Sequence, residues 1–130
     1  MAQNSAAVEK VVHLQPNRAS RPIDLVHLAK QCLGDEHLEY EILRMFDTTV
    51  QNYFARLEVA SSQDERAMVL HSIKGAAAGV GAWTLSELAK LSESDILAGR
   101  EMAPEHMSDI AIAIEEVRSF IAHMLSNEPK

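Results

Sequence analysis

The sequence predicts an all-α fold: an antiparallel four-helix bundle with a short additional N-terminal helix and an irregular N-terminal arm. Three observations carry that expectation. Apolar residues recur at spacings of three and four over several long stretches, the period of a helix that buries one face. Most of the few glycines and prolines fall where such helices start or stop. No run alternates apolar and polar residues with enough β-branched character to make a strand. At 130 residues the chain is one domain, long enough to bury a core. Short connections force neighbouring helices to run in opposite directions, so the stripes pack as an antiparallel bundle.

Residues 1–21 contain Ser5, Pro16, Asn17 and Ser20 and no sustained stripe, which marks an irregular arm ahead of a bundle domain over 22–130. The patch Val8, Val11, Val12 and Leu14 fits either a helical turn packed on the bundle or a loose tail. Pro22 and Asp24 announce a short helix through Leu25, Leu28, Ala29 and Cys32, with Gly34 as its C-terminal cap. Asp35 caps the next helix. Its stripe, Leu38, Ile42, Phe46, Val50, Tyr53 and Leu57, ends near Ala60.

Ser62 and Glu65 have capping-box spacing and open a third helix with the stripe Val69, Ile73, Ala76 and Val80. Gly79 and Gly81 sit where that helix should stop. Thr84 and Glu87 form a second capping box, followed by Leu85, Leu88, Leu91 and Ile96 up to Gly99. Pro104 suits the first turn of the last helix, whose stripe is Met107, Ile110, Ile114, Val117, Ile121 and Leu125.

The third helix holds the most informative residues. At about 100° per residue, His71 projects roughly 170° from the centre of the stripe and therefore faces out. An exposed helix face normally carries Glu, Lys, Gln or Arg. Here the neighbours are Ala67, Lys74, Gly75, Ala78 and Ala82. A glycine inside a helix costs about 1 kcal/mol relative to alanine. Gly75, one turn after His71, clears a lane through which a large partner reaches the imidazole. Neutral imidazole is a nucleophile at cytoplasmic pH and accepts a phosphoryl group. Lys74 is placed to meet phosphoryl oxygens with its ammonium.

Composition narrows the remaining classes. Twelve basic against nineteen acidic residues give a net charge of −7, and no basic cluster provides a footprint for nucleic acid or an anionic membrane. The single cysteine, Cys32, excludes an internal disulfide and reads as a small buried hydrophobe. No apolar stretch approaches the ~18 residues of a membrane span, and the first residues lack a signal-peptide pattern, so the cytoplasm is expected. His13, His27, His37, His106 and His123 show no metal-ligand spacing and are expected to be solvated. Met45, Met68, Met102, Met107 and Met124 are expected to fill the core or its edge. Trp83 is expected to anchor the turn in the bundle rather than touch a partner. KGAAAGVG is glycine-rich, but in a helix it lacks the strand-loop context of a phosphate-binding loop.

The string His71-Ser-Ile-Lys74-Gly75-Ala-Ala-Ala-Gly79-Val-Gly81 resembles the signature of histidine-containing phosphotransfer (HPt) domains. In that signature a histidine is followed by lysine at plus three, glycine at plus four, small residues, and glycine at plus ten. The similarity extends over roughly Asp24 to Ser126. It implies a four-helix bundle that relays phosphoryl groups between receiver-domain aspartates without ATP-binding machinery of its own. His71 would be the phosphorylated residue, Lys74 the residue that stabilises phosphoryl charge, and Gly75 the access residue.

The implied partners are response-regulator receiver domains and a hybrid sensor kinase. Mg²⁺ is expected on the receiver, with no cofactor in this chain, and the charged outer faces fit a monomer. Helical geometry suggests Arg66, Ala67 and Ala78 as the rim of the partner-binding surface. The competing expectation is a degenerate relative, a helical interaction module that binds a signalling partner without phosphotransfer.

Overall fold

The computed structural model describes residues 21–129, so the Val8 to Leu14 patch and His13 lie outside it. Five helices and no strand are present among the described residues: α1 (Leu25–Gln31), α2 (Glu36–Val59), α3 (Gln63–Val80), α4 (Trp83–Leu97) and α5 (Pro104–Ser126). Helix α3 packs on α2 and α4, and α5 packs on the same two, which closes the four long helices into a bundle. The short α1 lies against α3 and α2. Contacts along α3 and α4 run in opposite order, with Lys74 meeting Ser86 and His71 meeting Glu93. The same holds for α2 and α5, where Arg118 bonds Asp47 and Arg44 bonds Glu128, just past the end of α5.

One continuous core fills the bundle, with Leu28, Leu43, Val50, Leu57, Leu70, Ile73, Leu85, Ile110 and Ile121 fully enclosed. The α5 stripe is the expected one, with Met107 and Leu125 at its edge. Elsewhere the buried set differs in detail. On α2, Leu43 is buried whereas Leu38, in the first turn, is exposed. On α3, Leu70 and Ala77 are fully buried and Ala76 only partly. On α4 the inward residues include Ser86, Ala89 and Ser92, while Leu91 is exposed. Leu91 stands five residues before Ile96, about 140° around the helix from it. Met45 and Met68 also lie on the surface rather than in the core.

The caps show how each helix starts and stops. Asp24 accepts hydrogen bonds from the Val26 and His27 N–H groups, and Asp35 from that of Leu38. Helix α1 ends in two successive left-handed residues, Leu33 and Gly34, and the Gly34 N–H donates to the Ala29 carbonyl. Ser62 accepts from the Glu65 N–H, but the Glu65 carboxylate accepts from Ser61 rather than returning to Ser62.

The second expected box does not form. Only Gly81 and Ala82 separate α3 from α4, so Thr84 already lies in the first helical turn and Ala82, fully buried, occupies the N-cap without a side-chain bond. The turn is closed by backbone: Gly81 adopts φ 84°, and the Ala82 N–H donates to the Ala77 carbonyl at 2.8 Å.

That turn also receives α1. The Asp24 N–H donates to the Gly81 carbonyl at 2.9 Å, and a Cβ at Gly81 would fall 2.9 Å from the Asp24 backbone carbonyl oxygen. The Trp83 Nε1–H donates to Asp24 Oδ2 at 3.1 Å, and the His27 ring meets the indole edge-on with centroids 4.7 Å apart. Trp83 therefore anchors α1 to the bundle. His27 and His106 are half-buried rather than solvated, the first against Trp83 and the second 3.6 Å from the Asp95 carboxylate.

Candidate functional site

His71 lies midway along α3 with a side chain 67% exposed. Its Nδ1 is 3.0 Å from Oε2 of Glu93, which reaches over from α4. The other oxygen of that carboxylate, Oε1, is 3.2 Å from Lys74 Nζ. Glu93 itself is only 12% exposed, so a nearly enclosed carboxylate holds an open imidazole and a half-open ammonium together. A carboxylate only accepts, which assigns the proton of a neutral imidazole to Nδ1. The lone pair then sits on Nε2. This is the arrangement of a nucleophile oriented through its second nitrogen.

Glu93 was not among the residues marked by the sequence, because its contact comes from a different helix, 22 residues along the chain. A signal was present. Ala89, Glu93 and Ile96 step by four and three, which places a carboxylate within a core stripe where an apolar side chain belongs.

The small-residue lane is longer than expected. A Cβ placed at Gly75 or at Gly79 would meet nothing within 4 Å. Gly79 lies inside α3, which continues to Val80, so it does not stop the helix. Standing four and eight residues after His71, the two glycines leave two helical turns bare on its face. Gly81 alone makes the left-handed stop.

The expected rim is only partly assembled around His71. Ala78 is half-buried in the turn between the two glycines. Ala67 is nearly buried, and lines a pocket beside His71 with Asp64, Met68, Ser72, Glu93 and Leu97. Arg66 is not in that pocket. Its guanidinium donates to the Ala60 carbonyl and to Gln63, and it faces a separate pocket with Glu101, Met102 and Pro104. Five residues from His71, it stands about 140° around the helix. Ala82 is likewise enclosed in the turn rather than on the outer face. The exposed apolar side chains at the pocket are Met68, 70% exposed, and Leu97, 73% exposed.

Cys32 lies apart from this site, buried in the core, and burial pushes its thiol up with help from Glu39 and Asp35. That disfavours the reactive thiolate. Among the described residues no group of three or more His, Cys, Asp or Glu side chains is placed to hold a metal ion. No described helix is long and apolar enough to cross a membrane.

The family model for the Hpt domain matches residues 41–120, well over half of the chain. The chain belongs to the Hpt domain family. The matched span of this Hpt domain contains His71, Lys74, Gly75 and Glu93, and it takes in all of α3 and α4. No curated protein and no solved structure matches the chain. Membership gives the Hpt domain a general role in histidine phosphotransfer within phosphorelays, where Hpt domains interact with receiver domains. Helix α1 precedes the matched span and packs on it through Asp24 and Trp83.

Proposed function

We propose that this Hpt domain relays a phosphoryl group between receiver-domain aspartates through phosphohistidine at His71. One receiver belongs to a response regulator and another to a hybrid sensor kinase. The observation that carries the proposal is the Glu93 carboxylate at 3.0 Å from His71 Nδ1, on an imidazole that is otherwise open to a partner.

The step follows from that geometry. The Nε2 lone pair attacks the phosphorus of the receiver's aspartyl phosphate, the P–O bond to the aspartate breaks, and the aspartate leaves as a carboxylate. The new N–P bond leaves the ring carrying positive charge, with the Nδ1 proton held against Glu93. Transfer to the second receiver is the same displacement in reverse. Lys74 turns its ammonium toward the phosphoryl oxygens as charge spreads over them. Mg²⁺ enters with the receiver, where it neutralises phosphoryl charge.

Docking is supported by the bare lane at Gly75 and Gly79, which admits the receiver, and by Met68 and Leu97, which offer apolar adhesion at the other side of His71. In this reading the domain acts as a cytoplasmic monomer and hydrolyses no nucleotide.

Incubation with a phosphorylated receiver domain and Mg²⁺ tests the proposal. The protein is expected to acquire an acid-labile, alkali-stable phosphoryl group, and His71→Gln to remove it. Labelling that survives this substitution overturns the assignment. A folded wild-type chain that binds receivers but never labels is the degenerate interaction module instead.

A further inference from the structure

Ser86 stands on α4 two turns before Glu93 and is nearly buried. A helical serine ordinarily returns its hydroxyl to a carbonyl three or four residues earlier in its own helix. Ser86 reaches across instead, and its Oγ–H donates to the backbone carbonyl of Lys74 at 3.0 Å. In an α-helix that carbonyl also accepts the intrahelical bond from residue 78, so α3 does not need the hydroxyl to be satisfied. The bond adds position rather than rescuing an orphaned group.

Lys74 is thereby held at both ends by one helix. Ser86 takes its carbonyl and Glu93 its ammonium. Seven residues apart, Ser86 and Glu93 lie on the same side of α4, about 10.5 Å apart along its axis. Between them Ala89 and Ser92 are small and fully buried, so α4 lies close against its neighbours and a slide of α4 along α3 is transmitted directly to the carboxylate.

We infer that Ser86 is a positioning residue for histidine phosphotransfer. It fixes the register of α4 on α3 so that one carboxylate meets His71 Nδ1 and Lys74 Nζ together. The inference rests on the proposed role of His71, but its first consequence is visible without any transfer. In its neutral form the His71 ring should favour the Nδ1–H tautomer, and Ser86→Ala should shift it toward Nε2–H.

The experiment combines two readouts on the full chain. Ring ¹⁵N shifts report the His71 tautomer, and rapid mixing with a phosphorylated receiver and Mg²⁺ reports transfer. Ser86→Ala is expected to reduce the Nδ1–H population and to slow transfer about tenfold, since displacement by a fraction of an ångström is costly in an in-line reaction. In a Glu93→Ala background, Ser86→Ala should slow transfer no further. An unchanged tautomer ratio, or equal slowing in both backgrounds, overturns the inference. If Ser86→Ala does not fold, Ser86→Cys keeps the volume with a weaker donor and is read in the same way. A chain whose tautomer responds as described but never labels at His71 refutes the phosphotransfer proposal and leaves the register role standing.

Discussion

Glu93 Oε2 lies 3.0 Å from His71 Nδ1, joining an almost enclosed carboxylate on α4 to an exposed imidazole on α3. The pairing gives the imidazole one fixed nitrogen and one free one. It also explains how the exposed His71 ring is held in one orientation. Lys74 shares the same carboxylate, so the ammonium is kept beside the ring.

Replacing Glu93 separates orientation from charge. Glu93→Gln retains an acceptor for the Nδ1 proton but loses the charge-assisted bond, which is roughly twice as strong as a neutral one. Transfer to His71 is expected to slow about tenfold, the lower end of the loss seen when the hydrogen-bonded partner of a metal-ligating histidine is removed. Glu93→Ala should slow it further while His71 still labels. Single-turnover transfer from a phosphorylated receiver measures both. Rates equal to wild type would reduce Glu93 to a structural partner of Lys74.

Gly75 offers a contrast between stability and access. With nothing within 4 Å of an added Cβ, Gly75→Ala fits without strain and should raise stability by about 1 kcal/mol. The melting temperature should rise by about 4 °C. Gly75→Gln should also hold the helix, yet its side chain lies one turn from His71 and obstructs a docking receiver. Thermal unfolding and transfer rates are therefore expected to diverge in this variant. Normal transfer by a well-folded Gly75→Gln protein would remove the access role.

His71, Lys74 and Gly75 were legible in the sequence because all three lie within five residues of one helix, where spacing fixes relative direction. The same holds for Asp35, Ser62 and Pro104, whose local chemistry starts helices whatever surrounds them. Glu93 and Ser86 were not, since periodicity shows which face of a helix turns inward but not which residue of the neighbouring helix it meets. The buried stripe on α4 departs from the leucine spacing for a related reason. Leucine dominates any count of hydrophobicity, yet close approach of helices favours the small Ser86, Ala89 and Ser92 and leaves Leu91 outside. Thr84 failed as a cap because the length of the α3–α4 turn was set by Gly81 and the Ala77 carbonyl, not by the hydroxyl.

The attachment of α1 gives a pH-dependent prediction. Asp24 is held below its ordinary carboxylate value of 3.8, chiefly by the Trp83 indole N–H, then by the His27 backbone N–H, against a desolvation effect that opposes them. Because its pKa is depressed in the folded state, ionised Asp24 contributes stability that is fully present above the unfolded value. That contribution is lost as pH falls through the folded value. The clasp between α1 and the α3–α4 turn should therefore weaken only below about pH 4. Trp83 is the sole tryptophan, and its fluorescence should report the change directly. Asparagine caps a helix about as well as aspartate, so Asp24→Asn keeps the Oδ1 cap while removing the charge together with the Oδ2 acceptor of the Trp83 indole N–H, whereas Asp24→Ala also removes the cap at a cost of about 1 kcal/mol. Denaturant unfolding should find wild type more stable than Asp24→Asn at pH 7, with the difference shrinking as the solution is acidified below pH 4. A difference that stays constant from pH 7 to pH 2 would show that the Asp24 charge does not hold α1 in place.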